Sequence, residues 1–363
     1  MLRNLIYSFQ KEIKSNHFLK NIFNKLIKNT FLKRFLFFYI FKPNKFRRKY
    51  NQFKLDIVFK KEIKDSEHLK VIINKEDSFK NIEINFSKKI LDNALAILRA
   101  YHCFKIWIPS IIKSAKIADQ VISLDFHIGD FGEEEYLSME QDNSKNLIPD
   151  IYSFQASSEI IQKKIIKQKF IDFKNIWLNK ENKIFWRGTT TGRDYNTINE
   201  LESIERIKIC KIYKNNKNID IKIAKIRQNL ISNIKVKKYL IVEDLFAEEV
   251  SEDKFASYRY YPDIPGNSLG WGTVKKFLYG NLIFKPNHKK QLLYYQFLHP
   301  WIHFVPVKDD FSDLEEKFNW SQENIDQTIN IAYRGYITIF DYLLNIDKYF
   351  MNSILNTDYK HFC

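Results

Sequence analysis

Two glycine-rich loops carry the residues best suited to bind a diphosphate. The first loop reads WRGTTTGRD from Trp186 to Asp194, so that Arg187 and Arg193 lie on either side of three threonine hydroxyls. Guanidinium groups, hydroxyls and exposed backbone N–H groups supply the charge and the donors that phosphate oxygens require. The loop is not a P-loop, because the Gly-Lys-Ser/Thr ending of that motif is absent. Arg187 is equally suited to a buried salt bridge, and both interpretations stay open.

The second loop reads DIPGNSLGWGT from Asp263 to Thr273 and leads into a predicted helix that carries Lys275. A helix N-terminus after a glycine-rich loop attracts anions through its dipole and its free N–H groups. Seven of the nine glycines fall in these two loops or around Asp130, where the backbone would turn sharply or approach a ligand. Such loops converge at the carboxyl ends of strands in open α/β sheets. We therefore predict one ligand site that the loops share.

Alternating strands and helices must position these loops. Short apolar runs predict strands at Val121–Phe126, Ile184–Trp186, Tyr239–Val242 and Asn281–Phe284, and helical spacing predicts helices at Ser203–Lys214 and Ile221–Leu230. This alternation is typical of an α/β fold with parallel sheets. The length of 363 residues suits two domains of that kind.

The positive charge of the chain is concentrated at its N-terminal end. Of the formal net charge of +16, residues 1–50 carry +12, from 13 lysines and arginines against Glu12 alone. Apolar residues recur there at helical spacing, with lysines on much of the other face. The apolar run Phe35–Phe41 is too short to span a bilayer, and it is followed by basic residues where a signal peptide would have a small-residue cleavage site. We predict a basic amphipathic segment on an anionic membrane surface.

Two other interpretations of residues 1–50 stay open: a helical pair packed on the body with its lysines solvated, and nucleic-acid binding. Nucleic acid is not expected as a partner, because the segment carries no recognisable nucleic-acid-binding motif. Three scattered cysteines, without CxxC spacing, exclude a disulfide framework or a zinc site and favour a reducing compartment. The predicted location is the inner face of the cytoplasmic membrane, with peripheral attachment.

Four motifs occur in order along the chain: WRG at Trp186 with the following Arg193, GNS at Gly266, GNLIF at Gly280, and the block LHPWIHFVPV from Leu298 to Val307. Together they resemble glycosyltransferase family 90, which includes Rumi-like protein O-glucosyltransferases, capsule-associated transferases and bacterial lipopolysaccharide glycosyltransferases. The resemblance covers roughly Ile122–Tyr359 and leaves out residues 1–50. It implies a metal-independent, inverting glycosyltransferase of GT-B architecture, with two Rossmann-like domains facing a cleft and a UDP-sugar as donor.

The resemblance also implies a general base just after a strand of the first domain. The matching stretch is ISLDFHIGD, in which the base corresponds to Asp130, with Asp125 as the alternative. Displacement at the anomeric carbon needs such a carboxylate to take the proton of the acceptor hydroxyl. Without the resemblance, Asp130 reads as a turn residue between two glycines.

The remaining expected site residues bind the donor or face the acceptor. The expected UDP-sugar contacts are Arg187, Thr189, Arg193, Asn267, Ser268, Gly270, Trp271 and Lys275. The expected acceptor-side or sugar-side residues are His127, Pro149 and Tyr152. The family often has an arginine where this chain has Gly272, and Lys275 is predicted to supply that missing charge. No two aspartates are spaced as Asp-x-Asp, so neither a metal nor another cofactor is expected.

Four segments and one reaction complete the sequence-based prediction. The segments are residues 1–50 (membrane interface), 51–175 (acceptor-side domain with the catalytic aspartate), 176–335 (nucleotide-sugar domain) and 336–363 (C-terminal helices returning to the first domain). The predicted reaction moves a hexose or pentose from a UDP-sugar to a glycolipid or saccharide acceptor, such as lipopolysaccharide core. The alternative is an inactive protein of the same fold that binds anionic lipid or nucleic acid through its basic end.

Overall fold

The computed structural model describes residues 56–62, 68–73, 81–87, 94–119, 122–129, 136–142 and 146–355. Residues 1–50 and Asp130, both prominent in the sequence-based prediction, lie outside these ranges. The chain forms two units: a first unit up to Ile151 to which the chain returns at Asp347, and a second unit from Tyr152 to Ile346. Of the helices in the described ranges, none is both long and apolar enough to cross a bilayer.

The first unit contains a mixed sheet of five strands in the order β1-β3-β2-β4-β5. Its strands are β1 (Asp56–Glu62), β2 (His68–Ile73), β3 (Asn81–Ser87), β4 (Ile122–His127) and β5 (Leu137–Ser138). The short strand β6 (Glu140–Gln141) follows β5 in the sequence and is not part of this sheet. Strand β2 runs antiparallel to both β3 and β4, so the prediction of a parallel sheet is wrong here. The connection from β2 to β3 is too short for a parallel crossover, which needs a dozen or more residues.

Two helices of the first unit pack around one tryptophan. They are α1 (Ala94–Ala118) and α10 (Ile346–Leu355). The ring of Trp107 on α1 stacks on Phe126 of β4 at 5.0 Å and on Phe350 of α10 at 6.3 Å. The hydroxyl of Ser110 also donates a hydrogen bond to the Asp347 carboxylate at 2.8 Å. These contacts hold the C-terminal helix in the first unit.

The second unit is built on a sheet in which every pairing is parallel, as the sequence predicts. Its strands are β7 (Glu181–Thr189), β8 (Ile219–Lys225), β9 (Tyr258–Pro262), β10 (Leu282–Pro286) and β12 (Val305–Val307), and the short β11 is Gln291–Leu292. The helices are α2 (Ile151–Lys163), α3 (Phe170–Leu178), α4 (Ile198–Glu202), α5 (Glu205–Tyr213), α6 (Asn233–Val242), α7 (Thr273–Leu278), α8 (Leu314–Glu323) and α9 (Ile325–Leu344). The strand order is β12-β10-β9-β7-β8.

Two predicted elements are wrong, and both lie in the part of the chain from β8 to α6. The predicted helix over Ile221–Leu230 begins inside β8, whose buried residues alternate with less buried ones along the strand. That period of two indicates a strand, and the charged residues Asp220 and Lys222 occupy two of the intervening positions. The predicted strand Tyr239–Val242 is the last turn of α6, where Leu240 is buried. A short apolar run fits a strand or a helix equally well, so sequence alone could not decide it.

The boundaries between the units differ from those predicted at residues 175 and 335. Helices α2 and α3 belong to the second unit, because Phe173 of α3 packs on Tyr333 and Tyr336 of α9 at ring distances of 5.2 and 5.4 Å. Helix α9 continues without a break to Leu344, so the chain leaves the second unit only after Ile346. Aromatic packing on one long helix therefore sets both boundaries.

We expect Gly335→Ala to destabilise the second unit, because α9 approaches its neighbours closely at this residue. A Cβ at Gly335 would lie 2.5 Å from the His303 carbonyl oxygen and 2.9 Å from the Phe277 ring. Overpacking should cost roughly 1–3 kcal/mol, more than the gain in helix propensity of about 1 kcal/mol. Urea unfolding measures the change. The exposed Gln327→Ala on the same helix should stay within about 0.5 kcal/mol of the parent protein, and equal stability of both variants would contradict the close approach.

Candidate functional site

The two glycine-rich loops lie at the point where the order of strands in the second sheet reverses. Strand β8 follows β7 on one side, whereas the next strand, β9, pairs with β7 on the other side. The first loop follows β7 and the second loop follows β9, so both lie at the carboxyl ends of these parallel strands. Ligands of open α/β sheets bind in the crevice at such a switch point. The topology therefore marks this edge as the candidate site.

The two loops contact each other directly. The backbone N–H of Gly192 donates a hydrogen bond to the side-chain oxygen of Asn267 at 3.0 Å. A Cβ at Gly266 would lie 2.7 Å from the Thr191 hydroxyl, so only glycine allows this approach. The predicted convergence of these two loops is thus present in the structure. The other two glycines, Gly129 and Gly132, flank Asp130 in the sequence, and Asp130 lies outside the described residues.

Arg206, on α5, joins the two loops through a set of hydrogen bonds. Toward the second loop, its Nε donates to the Pro265 carbonyl at 2.7 Å and its Nη2 donates to the Ile264 carbonyl at 3.1 Å. Toward the first loop, its Nη1 donates to the Thr191 hydroxyl at 2.7 Å and to the Thr189 carbonyl at 3.2 Å. The planar fork of a guanidinium suits acceptors that come from several directions. Arg206 is therefore the residue that fixes the distance between the loops.

The sequence analysis missed Arg206, because it lies on a helix outside both motifs. Its guanidinium lies 5.3 Å from the ring of Trp186, a cation–π distance. Desolvation lowers the pKa of Arg206 to about 10, which leaves it charged at neutral pH. The same tryptophan explains Gly188, since a Cβ there would lie 2.1 Å from the indole ring. The WRG motif is thus a packing unit that supports Arg206.

Arg187 forms a salt bridge and is not an open phosphate ligand in this structure. Its Nη1 and Nη2 donate to the two carboxylate oxygens of Asp220 on β8 at 2.7 and 2.8 Å. The guanidinium also lies 4.3 Å from the ring of Phe185. A bidentate pair of this kind neutralises the arginine. Of the two interpretations of Arg187, the structure shows the salt bridge.

Arg193 is the cation of the first loop that stays available. It is exposed and makes no hydrogen bond or ion pair within the described part of the chain. Nearby, the Thr189 hydroxyl lies 3.0 Å from the Thr191 hydroxyl and 3.3 Å from Arg206 Nη1. The first loop thus presents a solvated arginine beside two hydroxyls that a guanidinium orients.

A buried carboxylate anchors the second loop. Asp263, the residue after β9, accepts hydrogen bonds from the hydroxyls of Thr273 and Tyr295. A Cβ at Gly270 would lie 2.3 Å from the Asp263 carboxylate, so glycine is required at that position. Ser268 closes the loop, because its carbonyl accepts from the Gly266 N–H at 2.9 Å. Gly270 and Ser268 therefore shape the loop through the backbone.

The N-terminus of α7 has fewer free N–H groups and a weaker dipole for binding an anion than the sequence predicts. The helix is only six residues long, and the backbone N–H groups of Thr273 and Lys275 already donate to the carbonyls of Gly270 and Gly272. A helix dipole weakens as the helix shortens, and occupied N–H groups cannot bind a ligand. Positive side chains must therefore provide most of the charge at this site.

Lys275 is paired with a carboxylate, so its positive charge is not free to replace that of the arginine expected at position 272. Its Nζ lies 3.1 Å from Glu159 on α2. Hydrogen bonds from Lys163 and Lys275 lower the pKa of Glu159, which keeps that carboxylate ionised. A Cβ at Gly272 would meet nothing closer than Lys276 Nζ at 3.7 Å, so close packing does not require glycine at this position.

The remaining predicted residues lie in different units. In the second unit, the ring of Tyr152 on α2 contacts the edge of Trp271 at 6.0 Å. In the first unit, Pro149 is buried, and His127 at the end of β4 is buried with its Nδ1 accepting from the Gly129 N–H at 3.2 Å. That bond fixes the orientation of the imidazole just before the position of Asp130. Asp125, the alternative base, lies within β4 opposite Lys70 of β2.

The second unit has the architecture of an α/β nucleotide-binding domain, with its loops at the switch point of a parallel sheet. The chain belongs to glycosyl transferase family 90, whose model matches residues 138–357, more than half of its length. The motifs had implied membership of this family.

Three curated relatives share segments of this region. Protein O-glucosyltransferase 2 of Danio rerio is 24% identical over 160 residues, which are 44% of this chain and 29% of the relative. Protein O-glucosyltransferase 3 of Rattus norvegicus is 33% identical over 89 residues, 24% of this chain and 18% of the relative. Protein O-glucosyltransferase 1 of Mus musculus is 31% identical over 118 residues, 32% of this chain and 30% of the relative. The chain thus spans less than a third of the length of each relative.

We expect Arg206→Met to separate the two loops. The change keeps much of the side-chain volume but leaves the carbonyls of Ile264 and Pro265 without their donor, at a cost of about 1–3 kcal/mol for each buried group. Urea unfolding should show the loss, and the first loop should become more sensitive to proteases. Lys208→Met, at an exposed position on the same helix, is the matched control and should change stability by less than about 0.5 kcal/mol. A parent-like Arg206→Met variant would show that other contacts hold the loops together.

Proposed function

We propose that this chain is a glycosyltransferase, which moves a hexose or a pentose from a UDP-sugar to an acceptor hydroxyl, with inversion at the anomeric carbon and without a metal ion. The observation that carries the proposal is the pair of glycine-rich loops that Arg206 joins at the switch point of the parallel sheet. The proposed architecture is GT-B, in which a donor bound at these loops faces an acceptor domain.

In the proposed reaction Asp130 is the general base. Its carboxylate takes the proton of the acceptor hydroxyl while the hydroxyl oxygen forms a bond to the anomeric carbon. The bond from that carbon to the diphosphate oxygen breaks, and its electron pair leaves with UDP. Attack from the side opposite the leaving group inverts the configuration. The orientation of His127 supports this role, since its bond to Gly129 shapes the turn that leads to Asp130.

Positive charge and donors must stabilise the departing diphosphate, which is usually the largest contribution to catalysis. Arg193 is the proposed main cation, because it is exposed and has no partner among the described residues. The Thr189 hydroxyl and the side chain of Asn267 are the proposed neighbouring contacts. Lys275 can contribute only if a ligand competes with Glu159 for its ammonium group.

The proposed acceptor is a glycolipid or saccharide such as lipopolysaccharide core, reached from the inner face of the cytoplasmic membrane. Its support is the +12 charge and the amphipathic spacing of residues 1–50. A hydroxyl on a protein is the second candidate, favoured by the three relatives, which are named as protein O-glucosyltransferases. An inactive protein that binds anionic lipid or nucleic acid is the remaining alternative.

Release of UDP from a panel of UDP-sugars, in the presence of EDTA, tests the proposed reaction. Asp130→Asn should abolish turnover and preserve UDP affinity, because the amide cannot accept the proton but leaves the phosphate contacts in place. Arg193→Ala should weaken UDP binding by about tenfold or more, as expected when a charge-assisted contact worth roughly 1.5–3 kcal/mol is lost.

Three results would contradict parts of the proposal. Full turnover by Asp130→Asn would remove Asp130 from the mechanism, and an unchanged UDP affinity in Arg193→Ala would remove that arginine. Tight RNA binding without release of UDP from any sugar donor would favour the inactive alternative. Parallel assays with a glycolipid and with a folded protein acceptor distinguish the two acceptor classes.

Charge reversal in the full-length chain tests the proposed membrane segment. The variant replaces five lysines of residues 1–50 with glutamate, namely Lys11, Lys14, Lys20, Lys25 and Lys28. Because each lysine near an anionic surface contributes about 1 kcal/mol, the variant should lose most binding to phosphatidylserine vesicles but keep UDP release. Vesicle sedimentation measures the first property. Parent-like sedimentation would show that residues 1–50 do not bind the membrane electrostatically.

A further inference from the structure

The end of α2, the turn after it and the start of α3 expose four isoleucines within eleven residues. The exposed fractions are 66% for Ile161, 84% for Ile166, 60% for Ile171 and 38% for Ile165. Single exposed apolar residues need no explanation, but a cluster of large ones marks an interaction surface. We call these four residues the isoleucine surface.

Lysines surround the isoleucine surface. Residues 163–169 read KKIIKQK and contain four lysines and no acid. The side chains of Lys164 and Lys169 form no hydrogen bond or ion pair within the described part of the chain. Lys163 pairs with Glu159 at 2.6 Å and Lys167 pairs with Asp341 at 2.7 Å, both as solvent-exposed ion pairs of little energetic value. The turn therefore presents apolar tips within a positive rim.

The backbone holds this turn in a defined shape. Helix α2 ends in a Schellman motif, in which the Lys164 N–H donates to the Ile161 carbonyl and the Ile165 N–H donates to the Ile160 carbonyl. Lys164 occupies the left-handed position at φ 51°, which glycine would fill without strain. The turn thus has a lysine where helix geometry favours glycine, and the motif projects Ile165 and Ile166 outward.

Two tyrosines of α9 form hydrogen bonds with the backbone of the turn. The hydroxyl of Tyr336 accepts from the Gln168 N–H at 3.0 Å, and the hydroxyl of Tyr333 donates to the Gln168 carbonyl at 3.3 Å. Phe170 packs on Tyr333 at a ring distance of 5.1 Å. These contacts with Tyr333 and Tyr336 attach the turn to α9 of the second unit.

We propose that the isoleucine surface inserts into the interfacial layer of an anionic lipid bilayer, as a membrane contact separate from residues 1–50. Isoleucine side chains would enter the boundary between headgroups and acyl chains, and the lysine stems would reach up to the phosphates. Lysines outnumber acids by four to one over residues 161–172, where Asp172 is the acid, and this excess of positive charge fits an anionic lipid surface. A second copy of this surface would repel it for the same reason.

Helix α2 connects this surface to the candidate site within the same unit. Its Glu159 pairs with Lys275 on α7, and its Tyr152 contacts Trp271 in the second loop. The surface would thereby fix the distance of the donor loops from the membrane. Any benefit to catalysis rests on the proposed function, in which the acceptor is carried by a lipid. The membrane contact itself does not depend on that proposal.

Vesicle sedimentation of the full chain tests the contact, with serine replacing all four isoleucines of the surface. The vesicles contain phosphatidylcholine with about one quarter phosphatidylserine. We expect the variant to bind these vesicles about tenfold more weakly or worse, because each replacement removes several methylene groups from the interface. The unfolding midpoint should stay near that of the parent protein, since the replaced side chains are exposed.

The matched control replaces two other exposed apolar residues, Ile234 and Val242 of α6, with serine. Their exposed fractions are 81% and 72%, and Glu243 and Asp244 directly follow Val242 in the sequence. This control should bind vesicles like the parent protein. Equal loss in both variants, or no loss in the isoleucine variant, would overturn the inference, as would dissociation of a dimer with unchanged vesicle binding. UDP release by the isoleucine variant, with UDP-sugar alone, reports separately on the proposed function.

Discussion

One guanidinium determines the spacing of the candidate site. Arg206 donates to carbonyls of the second loop and to a hydroxyl and a carbonyl of the first loop, so neither loop can move without breaking charge-assisted hydrogen bonds. The neighbouring glycines follow from this arrangement: Gly188 makes room for the tryptophan beside the guanidinium, and Gly266 makes room for the approach of the loops. A ligand that binds between the loops would meet a rigid site, which lowers the entropic cost of binding.

The other cations near the site divide into paired and unpaired groups. Arg187 and Lys275 each have a carboxylate partner, whereas Arg193 has none within the described residues. The pairing of Lys275 matters because the resemblance to the family implies an arginine at the position of Gly272. A Cβ at Gly272 would meet nothing closer than 3.7 Å, so close packing does not explain the glycine. Arg193 is therefore the cation that we propose as the main contact for a diphosphate.

Two strands of the second sheet, β7 and β10, could be predicted from sequence, because each contains a short apolar run. The two wrong elements have a common origin in local pattern. Asp220 and Lys222 between the isoleucines of β8 resemble the polar face of a solvated helix, and the apolar end of α6 resembles a buried strand, although Ile241 and Val242 are exposed. Local pattern cannot separate these cases, since the deciding contacts come from β7 and from the rest of the sheet. The first sheet was mispredicted because strand direction depends on connection length.

The sequence by itself determined the family, the two loops and the residue types in them, because these are properties of local order along the chain. It also identified the concentration of charge in residues 1–50 and the absence of an Asp-x-Asp pair. Only the tertiary structure decided that Arg187 is neutralised by Asp220, that Arg206 joins the loops, and that four isoleucines stay uncovered. Whether a charge is free, or an apolar side chain is covered, depends on neighbours distant in sequence, which only the folded chain brings into contact.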